Sequence, residues 1–139
     1  MTSVSIRRIT RTYWFFTSLL SVLIIVFSIP DLIKHPGAVT IMKHLGYPIY
    51  LLPFLGAMKI LGIITILVPA FQKAKEWAFA GLAFDLLGAF FSHLSVGDSP
   101  DKWLIPLLAL ALVVRSYQAG VKRRKFASVT EHQLIKESK

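Results

Sequence analysis

The chain alternates between apolar runs and short polar links, and four of the apolar runs approach the length of a membrane span. They cover residues 13–29, 50–69, 77–96 and 103–117. A helix crosses the hydrocarbon region of a bilayer with about 17 to 25 residues. Each run therefore predicts a transmembrane helix, and the last one reaches this length if the side chain of Arg115 extends to the lipid headgroups.

The first run allows a second interpretation, because basic residues followed by an apolar stretch are also typical of a secretory signal peptide. Residues 13–29 are long for the apolar part of such a signal, and the sequence SIPDLIKHPG at their end has no A-x-A-like cleavage site. We therefore expect this run to be retained as the first helix, with Pro30 and Asp31 ending it.

The links between the runs indicate the topology. The second, third and fourth runs are joined by AFQKAKE and LSVGDSPDK, and such short links make neighbouring helices antiparallel. Ser99, Pro100 and Asp101 form a typical start for the last helix. The predicted fold is thus an all-α membrane protein, an up-down four-helix transmembrane bundle.

The longest link, residues 31–49, predicts an additional element. Pro36 is a typical first residue of a helix and Gly46 a typical end, and the sequence between them has partial apolar spacing. We expect a short amphipathic interfacial helix between helices 1 and 2. This helix either caps the mouth of the bundle or only connects its neighbours.

Composition and charge support a membrane protein and suggest its orientation. Hydrophobic residues make up 55% of the chain and charged residues 17%, whereas soluble domains have about 25% charged residues. Twelve of the sixteen lysines and arginines lie on the side of the two termini. The positive-inside rule then predicts cytoplasmic termini, with residues 1–119 as the transmembrane domain and residues 120–139 as a basic, loosely ordered cytoplasmic tail.

Several classes of function are excluded by the residues present. The net charge of +9 is accompanied by no nucleic-acid-reading motif, so we assign the basic residues to the headgroups of the lipid bilayer. The absence of cysteine excludes disulfides, thiol nucleophiles and thiolate metal sites. The four histidines show no i, i+4 spacing, and we predict no metal site.

Two charged residues interrupt the second and third runs. Lys59 lies 10 residues before Pro69, and Asp85 lies 9 residues after Glu76, so both are about 14 to 15 Å from the same link. On antiparallel neighbouring helices they fall at one depth, and each alone costs about 2.5 to 3.5 kcal/mol in the bilayer. We predict an ion pair between them, which is either a structural device or part of a functional site.

The residues around this pair suggest that it faces the bundle interior. Small residues let helices approach closely in lipid, and they surround Asp85 and Lys59 at helical spacing. We predict that the packing face includes Gly56, Gly62, Gly81 and Gly88, and that a mildly polar stripe on the first helix, Thr17, Ser21 and Ser28, points to the same interior.

A ligand-binding pocket is predicted above the pair, open to the non-cytoplasmic side. Its candidate residues are Lys59, Asp85, His93, Tyr47 and Ser92. For His93 and Tyr47 the alternative is a role as anchors at the membrane interface, where aromatic rings are common. Glu76 lies on another face of its helix and is expected to be a solvated acid.

Motifs between Lys34 and Tyr117 resemble those of the DoxX-like family of small bacterial integral membrane proteins. In order, they are HP, LGYP-x-Y, K-x-LG, KEWA-x-AG, GA, and SH followed by GD. The resemblance implies a four-helix bundle in the bacterial cytoplasmic (inner) membrane. The residues that fall on the family pattern are Lys59, Glu76, Trp77, Gly81, Ser92 and His93, with no chemical role assigned.

The resemblance also implies a link to membrane redox systems, since the wider group includes a subunit of thiosulfate:quinone oxidoreductase. It favours a quinone- or small-lipophile-binding accessory subunit, with quinone as the candidate cofactor and Lys59 or His93 donating to its carbonyl oxygen. One alternative is a non-enzymatic interaction or assembly factor for membrane proteins. The other is a proton- or solute-conducting path through Asp85, for which one intramembrane acid is a thin basis unless the chain forms a homo-oligomer.

Overall fold

The computed structural model describes residues 3–137 of the chain, and this part contains five α-helices and no strand. Ser138 and Lys139, the end of the predicted tail, lie outside the described residues. The helices are α1 (Ser3–Leu32), α2 (Pro36–His44), α3 (Leu51–Leu67), α4 (Gln72–Ser95) and α5 (Pro100–Glu137).

The four longer helices form a ring in which each packs against two neighbours. Helix α1 contacts α3 and α5, and α4 contacts the same two helices from the opposite corner. The short α2 contacts only α1 and α3. We call the side with the start of α1 and the 68–71 link the terminal end, and the side with residues 33–50 and 96–99 the distal end.

The interior of the ring is built from residues spaced three and four apart on each helix. On α3 the inward stripe is Leu52, Gly56, Lys59, Ile63 and Ile66. This is the spacing of a left-handed helix bundle, in which side chains of one helix fill gaps on the next. Lys59 therefore occupies a position that the pattern otherwise reserves for apolar or small residues.

The outer surface is apolar, as expected for a protein surrounded by lipid. Phe15, Phe84 and Phe91 are each more than 60% exposed, and soluble monomers rarely expose such continuous apolar surface. Among the described residues, three helices are long and apolar enough to cross a membrane, namely those within Ser5–Leu32, Gln72–Ser95 and Pro100–Lys136. Helix α3 is also apolar but has 17 residues.

Two predicted helix ends were wrong. Helix α1 continues through Pro30 to Leu32, because proline in the last turn removes only one backbone donor and the following amides still bond to the helix, as Ile33 N does to Ile29 O at 3.1 Å. Residues 121–137 were expected to be loosely ordered, but they are helical, since α5 continues to Glu137.

The short helix in the long link and the start of α5 are confirmed. Helix α2 begins at Pro36, and the side chain of His35 accepts a hydrogen bond from Gly37 N at 3.2 Å. Gly46 follows the helix with φ of 78°, a conformation that glycine adopts without strain. Helix α5 begins at Pro100, directly after Ser99.

The predicted glycine packing face is only partly correct. A Cβ atom at Gly56 would lie 2.9 Å from both Leu32 N and Ser28 O, so α1 and α3 approach closely only because Gly56 has no side chain. At Gly81 and Gly88, by contrast, no described atom comes within 4 Å of the Cβ position. These two glycines face outward, so they do not pack inside the ring.

We predict that Gly56→Ala lowers the free energy of unfolding by about 1 to 3 kcal/mol, because the added methyl group meets backbone atoms that cannot move independently. Gly88→Ala is the matched control and is expected to leave stability unchanged or raise it by up to about 1 kcal/mol. Thermal unfolding in detergent measures both. Equal effects of the two substitutions would contradict the close approach at Gly56.

Candidate functional site

Three charged side chains from three helices meet inside the ring. Lys59 Nζ of α3 lies 3.1 Å from Asp31 Oδ2 of α1 and 3.5 Å from Asp85 Oδ2 of α4. Their side chains are 18 to 22% exposed. The predicted contact between Lys59 and Asp85 is therefore present, and Asp31 extends it to what we call the ion triad.

Asp31 was missed because Pro30 and Asp31 were interpreted as the end of the first helix. The signal was nonetheless in the sequence, since Asp31 follows Ser28 by three residues on the stripe that also contains Thr17. Extending this stripe by one turn places a carboxylate on the inward face of α1. The close approach at Gly56 then brings that carboxylate to Lys59, whose position is one turn further along α3.

The polar stripe of α1 is buried, as predicted, but the hydroxyl groups of Thr17, Ser21 and Ser28 do not bond to the side chains of the ion triad. Thr17 Oγ1 lies 2.7 Å from Ser116 Oγ of α5, and both residues are fully buried. Ser21 and Ser28 donate to backbone carbonyls one turn back on α1. Thr17 therefore joins α1 to α5, whereas the hydroxyl groups of Ser21 and Ser28 are satisfied within α1.

Tyr47 and Ser92 form a second polar contact, closer to the distal end. Tyr47 Oη lies 2.8 Å from Ser92 Oγ, and Ser92 donates its hydroxyl proton to Gly88 O at 2.6 Å. Because a serine hydroxyl has one proton, Ser92 must accept from Tyr47. This hydrogen bond ties the 33–50 segment to α4.

His93 and His44 share one carboxylate, that of Asp98. His93 Nδ1 lies 2.6 Å from Asp98 Oδ2, and His44 Nε2 lies 2.7 Å from Asp98 Oδ1. An ionised carboxylate only accepts, so each ring donates through the named nitrogen. Asp98 was not predicted, although it is the GD acid of the 96–99 link and its position after Gly97 could have drawn attention to it.

The environment of Asp98 favours its ionised form. Its side chain is only 6% exposed, and Lys102 Nζ lies 3.6 Å from Oδ1. The hydrogen bond from His93, followed by the one from His44 and the nearby positive charges, lowers the pKa of Asp98 from 3.8 to about 2. The carboxylate therefore stays charged at any physiological pH.

The five predicted ligand-binding residues fall into two groups. Lys59 and Asp85 belong to the ion triad, whereas Tyr47, Ser92 and His93 belong to what we call the distal polar layer, together with His44 and Asp98. Asp85 and Ser92 are seven residues apart on α4, which corresponds to about 10.5 Å along the helix axis. No hydrogen bond among the described residues joins the two groups directly.

The side chain of Glu76 is 43% exposed, as expected for a solvated acid, and it also takes part in an ion pair at the terminal end. Arg124 Nη2 of α5 donates to Glu76 Oε1 at 2.6 Å. Its neighbour Trp77 is 83% exposed on the outer surface, as expected for an aromatic side chain at a membrane boundary. Within residues 3–137, no cluster of three or more histidine, aspartate or glutamate side chains has the arrangement of a metal site.

One comparison with known proteins identifies the family of the chain. The sequence model of the DoxX-like family matches residues 15–116. The chain belongs to the DoxX-like family. No curated protein and no solved structure matches it.

The region of this DoxX-like protein that matches the family model includes every residue of the two polar groups. The matched region contains Asp31, Lys59 and Asp85 as well as the distal polar layer, and it ends within α5. The DoxX-like match and the three candidate spans together make this a membrane protein.

We predict that Lys59→Met destabilises the protein by about 3 to 5 kcal/mol, because it leaves two carboxylates in an apolar interior with no partner. Asp85→Asn should cost far less, since the pair between Lys59 and Asp31 remains. Chemical unfolding in mixed micelles measures both. Removing all three charges with Lys59→Met, Asp31→Asn and Asp85→Asn should be less harmful than Lys59→Met alone, and simple additivity of the single changes would contradict the triad.

We also predict a pH-dependent role for Asp98. Because its folded-state pKa lies below the ordinary value, its contribution to stability is complete above about pH 4 and disappears as the pH falls towards 2. Asp98→Asn should therefore lower the melting temperature at pH 5 and have little effect near pH 2. Ser99→Ala, a non-titrating change in the same link, is the control, and a constant difference between Asp98→Asn and the parent protein from pH 5 to 2 would contradict the assignment.

Proposed function

We propose that this DoxX-like protein binds the polar head of a small lipophile, with a quinone as the leading candidate, and serves as an accessory subunit of a membrane oxidoreductase. The ion triad is the binding centre in this proposal. The protein holds the ligand, and a partner protein supplies or removes electrons. Lys59, Asp85 and the distal residues Tyr47, Ser92 and His93 are the proposed ligand-binding residues, to which we add Asp31.

The proposal includes the arrangement in the membrane. Helices α1, α3, α4 and α5 cross the bilayer as an up-down bundle, and α2 lies at the distal interface. The 17 residues of α3 are at the lower limit for a span. The excess of lysine and arginine at the terminal end supports cytoplasmic termini in the bacterial inner membrane.

The observation that carries the proposal is the unequal charge of the ion triad. Two carboxylates face one ammonium group, so the triad has one net negative charge when all three groups are ionised. Such a charge is costly in an apolar bundle unless a proton or a ligand group compensates it. Since each side chain is about one-fifth exposed, the triad remains accessible to such a group.

A quinone and its reduced form match these groups chemically. The ammonium of Lys59 has protons that a quinone carbonyl oxygen accepts. The carboxylates of Asp31 and Asp85 accept from the hydroxyl groups that appear when the quinone is reduced. His93 is tied to Asp98 through Nδ1, which leaves Nε2 as its contact atom for a ligand.

One observation favours a second function, that of an interaction or assembly factor. On α4 the outward stripe consists of Trp77, Gly81, Phe84, Gly88 and Phe91, with spacings of four and three. Outward glycines between large aromatic rings allow another helix to approach closely in lipid. In this alternative the ion triad only fixes helix register, and the partner, either another membrane protein or a second copy, packs on α4.

The proposal is tested by quinone binding to the full-length protein in mild detergent. We expect quinone to co-purify, as detected by mass spectrometry, and an added short-chain ubiquinone to bind. The triple variant Lys59→Met, Asp31→Asn and Asp85→Asn leaves no charge unpaired, and it should lose at least tenfold in affinity. Tyr47→Phe should bind with intermediate affinity, since it removes only one hydroxyl group.

The control is Lys43→Met, which removes an exposed lysine of α2 that belongs to neither polar group and should bind quinone like the parent protein. Absence of quinone binding by the parent protein, or equal binding by the triple variant, would contradict the proposal. Recovery of a stable protein partner by both the parent and the triple variant, without quinone, would support the interaction factor.

A further inference from the structure

A cleft at the terminal end lies on the opposite side of the ring from the distal polar layer. It has a volume of about 240 Å³ and is formed by the start of α4, the middle of α5 and one turn of α1. Phe79 and Pro69 are among its apolar lining residues, and its charged lining residues are three cations, Lys75, Arg123 and Arg124, and one acid, Glu76. The cleft thus combines apolar residues with an excess of basic ones.

Lys75 is the unusual member of this group. Its residue is 9% exposed, yet no carboxylate or hydrogen-bond acceptor of the described residues contacts its ammonium group. No side-chain nitrogen or oxygen in the described region is both fully enclosed and unpaired, so Lys75 Nζ must keep access to the cleft. An ammonium group that opens onto a cleft without an acid partner favours the approach of an anion.

The other two cations are only partly used. Arg124 donates Nη2 to Glu76 at 2.6 Å, which balances that acid. The guanidinium of Arg123 lies 5.3 Å from the ring centre of Tyr13, a contact that orients the group without neutralising it. Glu76 is therefore paired with Arg124, and the positive charges of Lys75 and Arg123 have no acid partner in the cleft.

We propose that the cleft binds a phosphate group, held by Lys75, Arg123 and the outer donors of Arg124. Guanidinium groups match phosphate oxygens in geometry, and lysine adds a compact charge. Basic pockets between membrane helices are suited to anionic lipid headgroups, and the apolar wall at Phe79 would accommodate the start of an acyl chain. The phosphate comes from such a lipid or from a soluble phosphate compound. This site is independent of the ion triad and of the function proposed there.

The test uses the full-length protein in a zwitterionic detergent and two probes, phosphatidylglycerol and inorganic phosphate. Native mass spectrometry counts bound lipid, and isothermal titration calorimetry measures the binding of phosphate. Lys75→Met should weaken binding at least tenfold and should not lower the melting temperature without the probe, because it removes a charge that has no partner. Lys73→Met is the matched control: it removes an exposed lysine of the same first turn that does not line the cleft.

Arg123→Gln is a second variant, chosen because its side chain is exposed and its loss should not affect folding. Binding of the lipid alone, weakened by Lys75→Met and Arg123→Gln but not by Lys73→Met, would identify a headgroup site. Binding of inorganic phosphate with the same pattern would identify a site for a soluble phosphate compound. Equal losses in Lys75→Met and Lys73→Met, or no binding of either probe, would overturn the proposal.

Discussion

The lysine in the middle of α3 is the constraint on which the arrangement of the other helices depends. An ammonium group in an apolar bundle needs acids within reach, and here they come from α1 and α4, the two neighbours of α3 in the ring. Both neighbours must therefore present the correct face at the correct height. A single charge on the inward stripe of α3 thus constrains the rotation and the height of both neighbouring helices.

The two ends of the ring balance their charges differently. At the distal end one acid, Asp98, accepts hydrogen bonds from two histidines and lies near Lys102, so several donors converge on one carboxylate. At the terminal end the cations outnumber the acid Glu76, and Lys75 has no acid among the described residues. Asp98 is thus satisfied by contacts within the chain, whereas the terminal end keeps positive charge available for an external anion.

The sequence allowed some contacts to be predicted and not others, for identifiable reasons. The contact between Lys59 and Asp85 was predictable because both residues lie at about the same distance along their helices from one short link. Antiparallel helices joined by that link then place them at equal depth. Asp31 was missed because proline is a poor guide to a helix end when it lies in the last turn. The outward direction of Gly81 and Gly88 depends on how far α4 is rotated, and small-residue spacing does not determine that rotation.

Steric and electrostatic constraints act together to fix the register of α3 against α1. At Gly56 a Cβ atom would lie 2.9 Å from backbone atoms of α1 and 3.1 Å from Asp31 Cβ. A slip of one turn would bring Leu52 or Ile60 to this point and would move Lys59 by about 5.4 Å relative to Asp31. The same displacement would therefore create a backbone clash and separate an ion pair in an apolar environment. Neither a glycine nor a lysine alone would impose so strong a preference, because helices of uniform apolar surface can slide with little loss of packing.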